Sequence, residues 1–129
     1  HADGVRTDPT EAAAYVASTG VDALAVAVGS SHAMTDKSAA LDHDLISALR
    51  GATGTPLVLH GSSGVPDDQL LAAVAAGMVK INVGTALNIA FTAAVRDSLA
   101  TTDKVDPRPY LAAGRAAMAA EVERLLRLI

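Results

Sequence analysis

The segment Thr55-Pro56-Leu57-Val58-Leu59-His60-Gly61-Ser62-Ser63-Gly64 decides how this chain is read. Pro56 precedes a short apolar run, Leu57-Val58-Leu59, of the length and residue type of a parallel strand buried on both faces. The run stops at a histidine. The glycines and serines that follow let the backbone curl and leave N–H and hydroxyl groups pointing outward. In α/β proteins ligands sit outside the carboxyl ends of the strands, so this strand tip is expected to belong to a site. An ordinary core strand with an ordinary loop is the other reading of the same residues.

The flanking segments repeat the arrangement. Upstream, Asp8-Pro9-Thr10-Glu11 is a helix start, with Asp8 as cap and Pro9 at the first helical position, and the helix is expected to end near Ser18 at Gly20. Ala23 to Val28 is a small-residue strand that again ends in glycine, serine and histidine, Gly29-Ser30-Ser31-His32. A loop over 33–41 leads to Asp42, which caps a second helix to about Arg50, and Gly51 to Thr55 is read as the turn into the His60 strand. Downstream, Pro66-Asp67-Asp68 opens a third helix that Gly77 ends. Met78 to Val83 is the third strand, tipped by Asn82-Val83-Gly84-Thr85. A helix from Thr85 to about Ala100 spaces Leu87, Phe91, Val95 and Leu99 by four. A last helix from near Pro107 carries Met118, Val122, Leu125, Leu126 and Ile129 on one face, with Glu123 and Arg127 able to pair on another.

Strands alternating with helices imply βαβ units and a parallel sheet, hence the α/β class. Two architectures satisfy the order: a small doubly wound sheet, or consecutive units of a (β/α)8 barrel, which as a whole needs about 250 residues. The chain has 129 residues, half of them hydrophobic, enough for the core of one domain. There is no cysteine, which removes disulfides, thiolate nucleophiles and zinc–thiolate sites and leaves His, Asp or Glu to hold any metal. A formal charge of −4 without a basic run argues against nucleic acid and against an anionic membrane surface. No stretch has the length of a membrane span and no signal-peptide pattern opens the chain, so a soluble, cytoplasmic protein is expected. His1-Ala2-Asp3-Gly4, with no initiator methionine, reads as the tail of a loop and suggests a piece of a longer protein.

Three features carry candidate chemistry. His32 and His60 end successive strands, so their imidazoles can share one pocket and suit a catalytic zinc, which usually takes three protein ligands and keeps one position open. The alternative is that each ring bonds backbone at its strand end. His43 and His1 are read as solvated. Next, Gly61-Ser62-Ser63 and Asn82-Val83-Gly84-Thr85, the latter running straight into a helix, form an anion site of backbone N–H groups, or else plain helix caps. Lys80 alternates with Asn82 on one strand face; a buried lysine there forms a Schiff base or, more commonly, pairs with a carboxylate. No carboxylate is well placed as a proton carrier, since Asp3, Asp8, Asp42, Asp67 and Asp68 fall in loops or helix caps and Asp22 precedes a strand. Part of an enzyme's site is therefore expected outside this chain.

Taken together, Gly29-Ser30-Ser31-His32, Leu59-His60-Gly61-Ser62-Ser63-Gly64 and Lys80-Ile81-Asn82-Val83-Gly84-Thr85 resemble the C-terminal part of class II zinc-dependent ketose-bisphosphate aldolases. Val21-Asp22-Ala23-Leu24-Ala25-Val26 and Asp106-Pro107-Arg108-Pro109-Tyr110 flank them in matching order. The family includes fructose- and tagatose-bisphosphate aldolases. The resemblance implies that residues 1–129 are the last three strands of a TIM barrel with an extra C-terminal helix, the first five strands lying upstream. It implies Zn2+ held by His32 and His60, a third histidine and the proton-donor aspartate being upstream, so that no catalytic acid lies in this chain. A monovalent cation is a further ion the likeness allows. It gives Ala33, Gly61, Ser62, Ser63, Asn82, Val83, Gly84 and Thr85 the dihydroxyacetone phosphate moiety of a phosphorylated sugar, and implies a homo-oligomer, dimer or tetramer, acting in carbohydrate metabolism such as glycolysis. Three departures stand out. Ala33 and Ser62 replace glycines common in the family, and Gly84 stands where fructose-specific members often carry aspartate, which leans toward the tagatose-type or an unassigned branch and leaves the substrate open.

Overall fold

The computed structural model describes residues 4–31 and 35–129, and the chain divides into two compact units, one through Val83 and one from Gly84. In the first, α1 (Pro9–Thr19), β1 (Leu24–Val26), α2 (His43–Thr53), β2 (Leu57–Leu59), a single 3-10 turn (Ser62–Gly64), α3 (Asp67–Ala76) and β3 (Met78–Ile81) follow one another. The second holds α4 (Thr85–Ala100) and α5 (Arg108–Leu128).

The helix starts follow their caps. One carboxylate oxygen of Asp8 accepts from the N–H groups of Thr10 and Glu11 at 2.8 and 2.9 Å, satisfying two donors that the first turn leaves without partners. Asp42 does the same for Leu45 at 2.9 Å. At its far end α2 outlasts its expected stop at Arg50 by three residues. Gly51 stays helical, and Gly54, at φ +60°, supplies the left-handed residue that closes the helix.

The three strands form one parallel sheet in the order β1-β2-β3. All of β2 is buried, as its unbroken apolar run requires. β1 is shorter than the expected 23–28 because the backbone beyond Val26 bonds to loops instead of strands. Thr7 brackets Ala27 with its N–H and its hydroxyl, at 2.9 and 2.8 Å, and Val28 accepts from the Asp42 N–H. α1 packs on α2 and α2 on α3, and the core of this unit is built from Val26, Val28, Ile46, Leu49, Leu57, Leu59, Val65 and Leu70.

In the second unit α4 and α5 pack on each other. At Gly114, the one fully buried residue of α5, an added Cβ would lie 2.7 Å from the Phe91 ring and 2.9 Å from Val95. Glu123 and Arg127 pair as expected, at 2.6 Å. No helix among the described residues is long and apolar enough to cross a membrane.

Candidate functional site

The central strand delivers His60 one residue past its end, and the neighbouring strand determines what meets it. β2 and β3 start in register with Leu57 opposite Met78, but Val58 lies opposite Lys80 and Leu59 opposite Ile81. The pairing therefore skips Val79, which is 70% exposed. A one-residue insertion of this kind redirects every side chain beyond it. Without the skip Ile81 would stand beside His60. With it, Asn82 does: its N–H donates to the Leu59 carbonyl at 2.9 Å, and its side-chain Nδ2 lies 2.9 Å from His60 Nε2.

The tip is braced on both sides. From the β1 side, the Ser30 hydroxyl donates to the His60 carbonyl at 2.5 Å. Gly61, at φ +67°, lies flat against the Ser31 backbone, and an added Cβ would come within 2.6 Å of the Ser31 carbonyl oxygen. Only glycine fits such an approach at that φ. From the β3 side, the Ser62 hydroxyl donates to the Asn82 carbonyl at 2.7 Å. Ser62 is thus a buried polar side chain, 4% exposed, and its hydroxyl ties two strand ends together instead of pointing outward as the sequence suggested. The 3-10 turn closes with the Val65 N–H on the Ser62 carbonyl. Behind it, the Ala39 N–H donates to the Gly64 carbonyl at 2.9 Å, and Lys37 pairs with Asp67 at 2.6 Å in a half-exposed salt bridge worth at most about 1 kcal/mol.

Lys80 is exposed and its Nζ donates to Asn82 Oδ1, so its partner is an amide. Neither sequence expectation for it, a buried amine or a carboxylate pair, is met. Physical reasons are at hand for both: β3 is an outer strand of the sheet, and side chains two apart on one strand face meet, which brings Asn82 within reach first. His43, read from the sequence as solvated, has its Nε2 buried without a hydrogen-bond partner, because the start of α2 is drawn inward between buried Leu41 and Ile46.

The structure therefore gathers His60, Gly61, Ser62 and Asn82, with Ser30, Ser31 and Lys80 as neighbours whose part in the tip the sequence did not reveal. His32 and Ala33 lie outside the described residues. Ser63 belongs to the 3-10 turn, and Val83 is half-buried at the end of the first unit. In the second unit, Gly84 precedes α4 without a side-chain cap, at φ −140°, and Thr85 is the first helical residue. Among the described residues no three His, Cys, Asp or Glu side chains come together as a metal site. His60 has the donor chemistry zinc takes, but its Nε2 faces the Asn82 amide, so the described residues alone do not make up a zinc site. A hollow beside β1, lined by Thr7, Glu11, Tyr15 and Leu24 among others, shares no residue with this tip.

Solved structures share this fold. The YdjI aldolase of Escherichia coli K12 superposes with a TM-score of 0.84 at 32% identity, over 98% of this chain and 46% of that one. A Coccidioides immitis protein assigned as a candidate fructose-1,6-bisphosphate aldolase gives 0.85 at 28% identity, over 98% and 44%. The fructose-bisphosphate aldolase of Campylobacter jejuni shares the fold, with a TM-score of 0.78 at 20% identity over 95% and 45%. This chain spans less than half the length of each of these proteins. The sequence model of class-II fructose-bisphosphate aldolase matches residues 1–129, and the chain belongs to that family.

Proposed function

We propose that residues 1–129 are the C-terminal part of a single (β/α)8 barrel domain, its last three strands followed by an extra helix, and that they serve a zinc-dependent aldolase. The reaction is the reversible cleavage of a ketose bisphosphate, fructose- or tagatose-bisphosphate, to dihydroxyacetone phosphate and an aldehyde such as glyceraldehyde 3-phosphate. The observation that carries this reading is His60 at the tip of the buried central strand, with Asn82 2.9 Å from its ring and Gly61 pressed on the neighbouring tip. Family membership supports it.

In this reading His32 and His60, with a histidine outside this chain, hold Zn2+, which when bound supplies Lewis acidity toward the ketose carbonyl. The backbone of Gly61, Ser62 and Ser63 faces the phosphate, and the resemblance to the family gives Ala33, Val83, Gly84 and Thr85 the same task. Asn82 stands next to the ring with a carboxamide that can meet a substrate oxygen. Gripping the phosphate fixes the reacting carbons against the histidines, which lowers the entropic part of the barrier. The proton carrier belongs to the rest of the barrel. A cytoplasmic homo-oligomer acting on sugar phosphates in carbohydrate metabolism completes the proposal.

The test uses a barrel of the relatives' full length that carries this sequence. EDTA should abolish cleavage, and added Zn2+ should restore it. Cleavage that survives EDTA, with borohydride trapping a substrate adduct at Lys80, would replace the zinc mechanism by a Schiff-base one. This chain alone is expected to be inactive, and a soluble monomer of it that cleaves substrate would refute the partial-barrel assignment.

A further inference from the structure

We propose that Lys80 is a positioning residue which, acting through the Asn82 carboxamide, fixes the ring nitrogen on which His60 carries its hydrogen. The proposal goes beyond the reaction above and holds whether or not the chain takes part in aldol chemistry. An ammonium group only donates hydrogen bonds. The Asn82 atom beside Lys80 Nζ is therefore the oxygen, which resolves the two-fold ambiguity of a carboxamide from chemistry alone. The atom 2.9 Å from His60 Nε2 is then the NH2 nitrogen, another group that only donates. Nε2 must accept, and in the neutral ring the hydrogen sits on Nδ1.

The reverse orientation of Asn82 would set its NH2 against the ammonium, donor to donor. Lys80 thus excludes the flip that would let His60 carry its hydrogen on Nε2. The skipped residue Val79 makes this possible, since it sets Asn82 level with His60 and Lys80 two residues before it, opposite Val58, on the same face of the strand. For any cation the consequence is direct. Binding at Nε2 requires the Asn82 amide to leave. Binding at Nδ1 requires the hydrogen to move to Nε2 and the amide to turn its oxygen toward it, away from Lys80.

Two-bond 1H–15N correlation of the histidine rings in the full 15N-labelled chain, recorded near pH 8, reads the tautomer directly. His60→Gln identifies the His60 signals. The unsubstituted chain should show His60 with its hydrogen on Nδ1. Lys80→Met, similar in length and without a donor, should shift the tautomer ratio several-fold toward Nε2–H, and Lys80→Arg, again a donor only, should restore it. Lys80→Gln, whose amide both donates and accepts, should fall between. An Nε2–H ring in the unsubstituted chain, or a ratio unmoved by Lys80→Met, overturns the proposal. Should Lys80→Met fail to fold, Lys80→Gln decides by the same criterion. Loss of a merely structural contact would leave the ratio where it was.

Discussion

The stretch through Val83 and the stretch from Gly84 dispose of their apolar residues in opposite ways. Every fully buried apolar side chain among the described residues, from Ala12 to Met78, belongs to the first. In the second, α4 buries none and α5 buries only Gly114, while Leu99, Leu111, Leu126 and Ile129 are all 47% exposed or more. A βα unit lays a helix over a strand whose residues are apolar on both faces, so each added unit encloses the side chains of the one before. A pair of antiparallel-capable helices has only one seam to share. The sheet unit is thus held by volume filled, and the helical pair by one seam in which Gly114 leaves room for Phe91 and Val95.

That contrast breaks most easily at Ile46. This side chain is wholly inaccessible, so Ile46→Ala should cost about 3 to 4 kcal/mol, lost burial plus the cavity left behind. Leu126, 77% exposed, removes nothing comparable, and Leu126→Ala should stay within about 0.5 kcal/mol of the parent. Chemical denaturation of both variants checks the difference. Equal losses would mean that the second unit has a core of its own.

Gly61→Ala comes next. A left-handed alanine costs about 1 to 2 kcal/mol, and forcing its Cβ onto the Ser31 carbonyl adds about 1 to 2 more, a total of about 3 kcal/mol. The loss should be local to the braced tip: amide exchange should rise at Ser31 and Gly61 before it rises at Ile46. A uniform rise would show that the tip and the core open as one.

How much of this was legible beforehand depends on whether the signal is local. The helix at Thr85–Ala100 and the cap at Asp8-Pro9 are written in adjacent residues, and they stand where the sequence puts them. His60 at a strand end follows from an apolar run that stops. Other features depend on a partner far along the chain. Met78-Val79-Lys80-Ile81 alternates like any strand, and nothing in it announces that Val79 is skipped by β2, so the meeting of Asn82 with His60 could not be read. Ser62 looked like a ligand hydroxyl because loops expose serines; its partner, the Asn82 carbonyl, is 20 residues away. Gly51 and Gly54 are both plausible helix stops, and only the backbone shows that Gly54 takes the left-handed conformation.

Gly114→Ala probes the other side of the contrast at smaller cost. The new methyl would press on Phe91 and Val95, an overpacking of about 2 kcal/mol, while alanine regains about 1 kcal/mol of helix propensity. A net loss of about 1 kcal/mol is expected, read as a lower midpoint in thermal denaturation. A gain would mean that the Phe91 ring swings aside freely and that the packing at Gly114 does not hold the pair.

The smallest effect lies just ahead of α5, where electrostatics replace packing. The Arg108 guanidinium pairs with Asp106 at 2.6 Å, and the Arg108 N–H donates to the same carboxylate at 3.0 Å. The side-chain bond first and the backbone bond second hold the Asp106 carboxyl below its ordinary value of 3.8. A carboxyl whose folded value is depressed contributes stability that is complete above the unfolded value and lost as pH falls through the folded one. The window therefore opens below about pH 4 and extends to the lower folded value. Asp106→Asn keeps an acceptor for the Arg108 N–H but has no charge to lose. The difference in thermal midpoint between parent and variant should be constant from neutral pH down to about pH 5 and shrink below it. Because both groups are solvent-exposed, the difference should also shrink in high salt. A difference unmoved by pH would assign the contribution of Asp106 to its hydrogen bonds and none of it to charge.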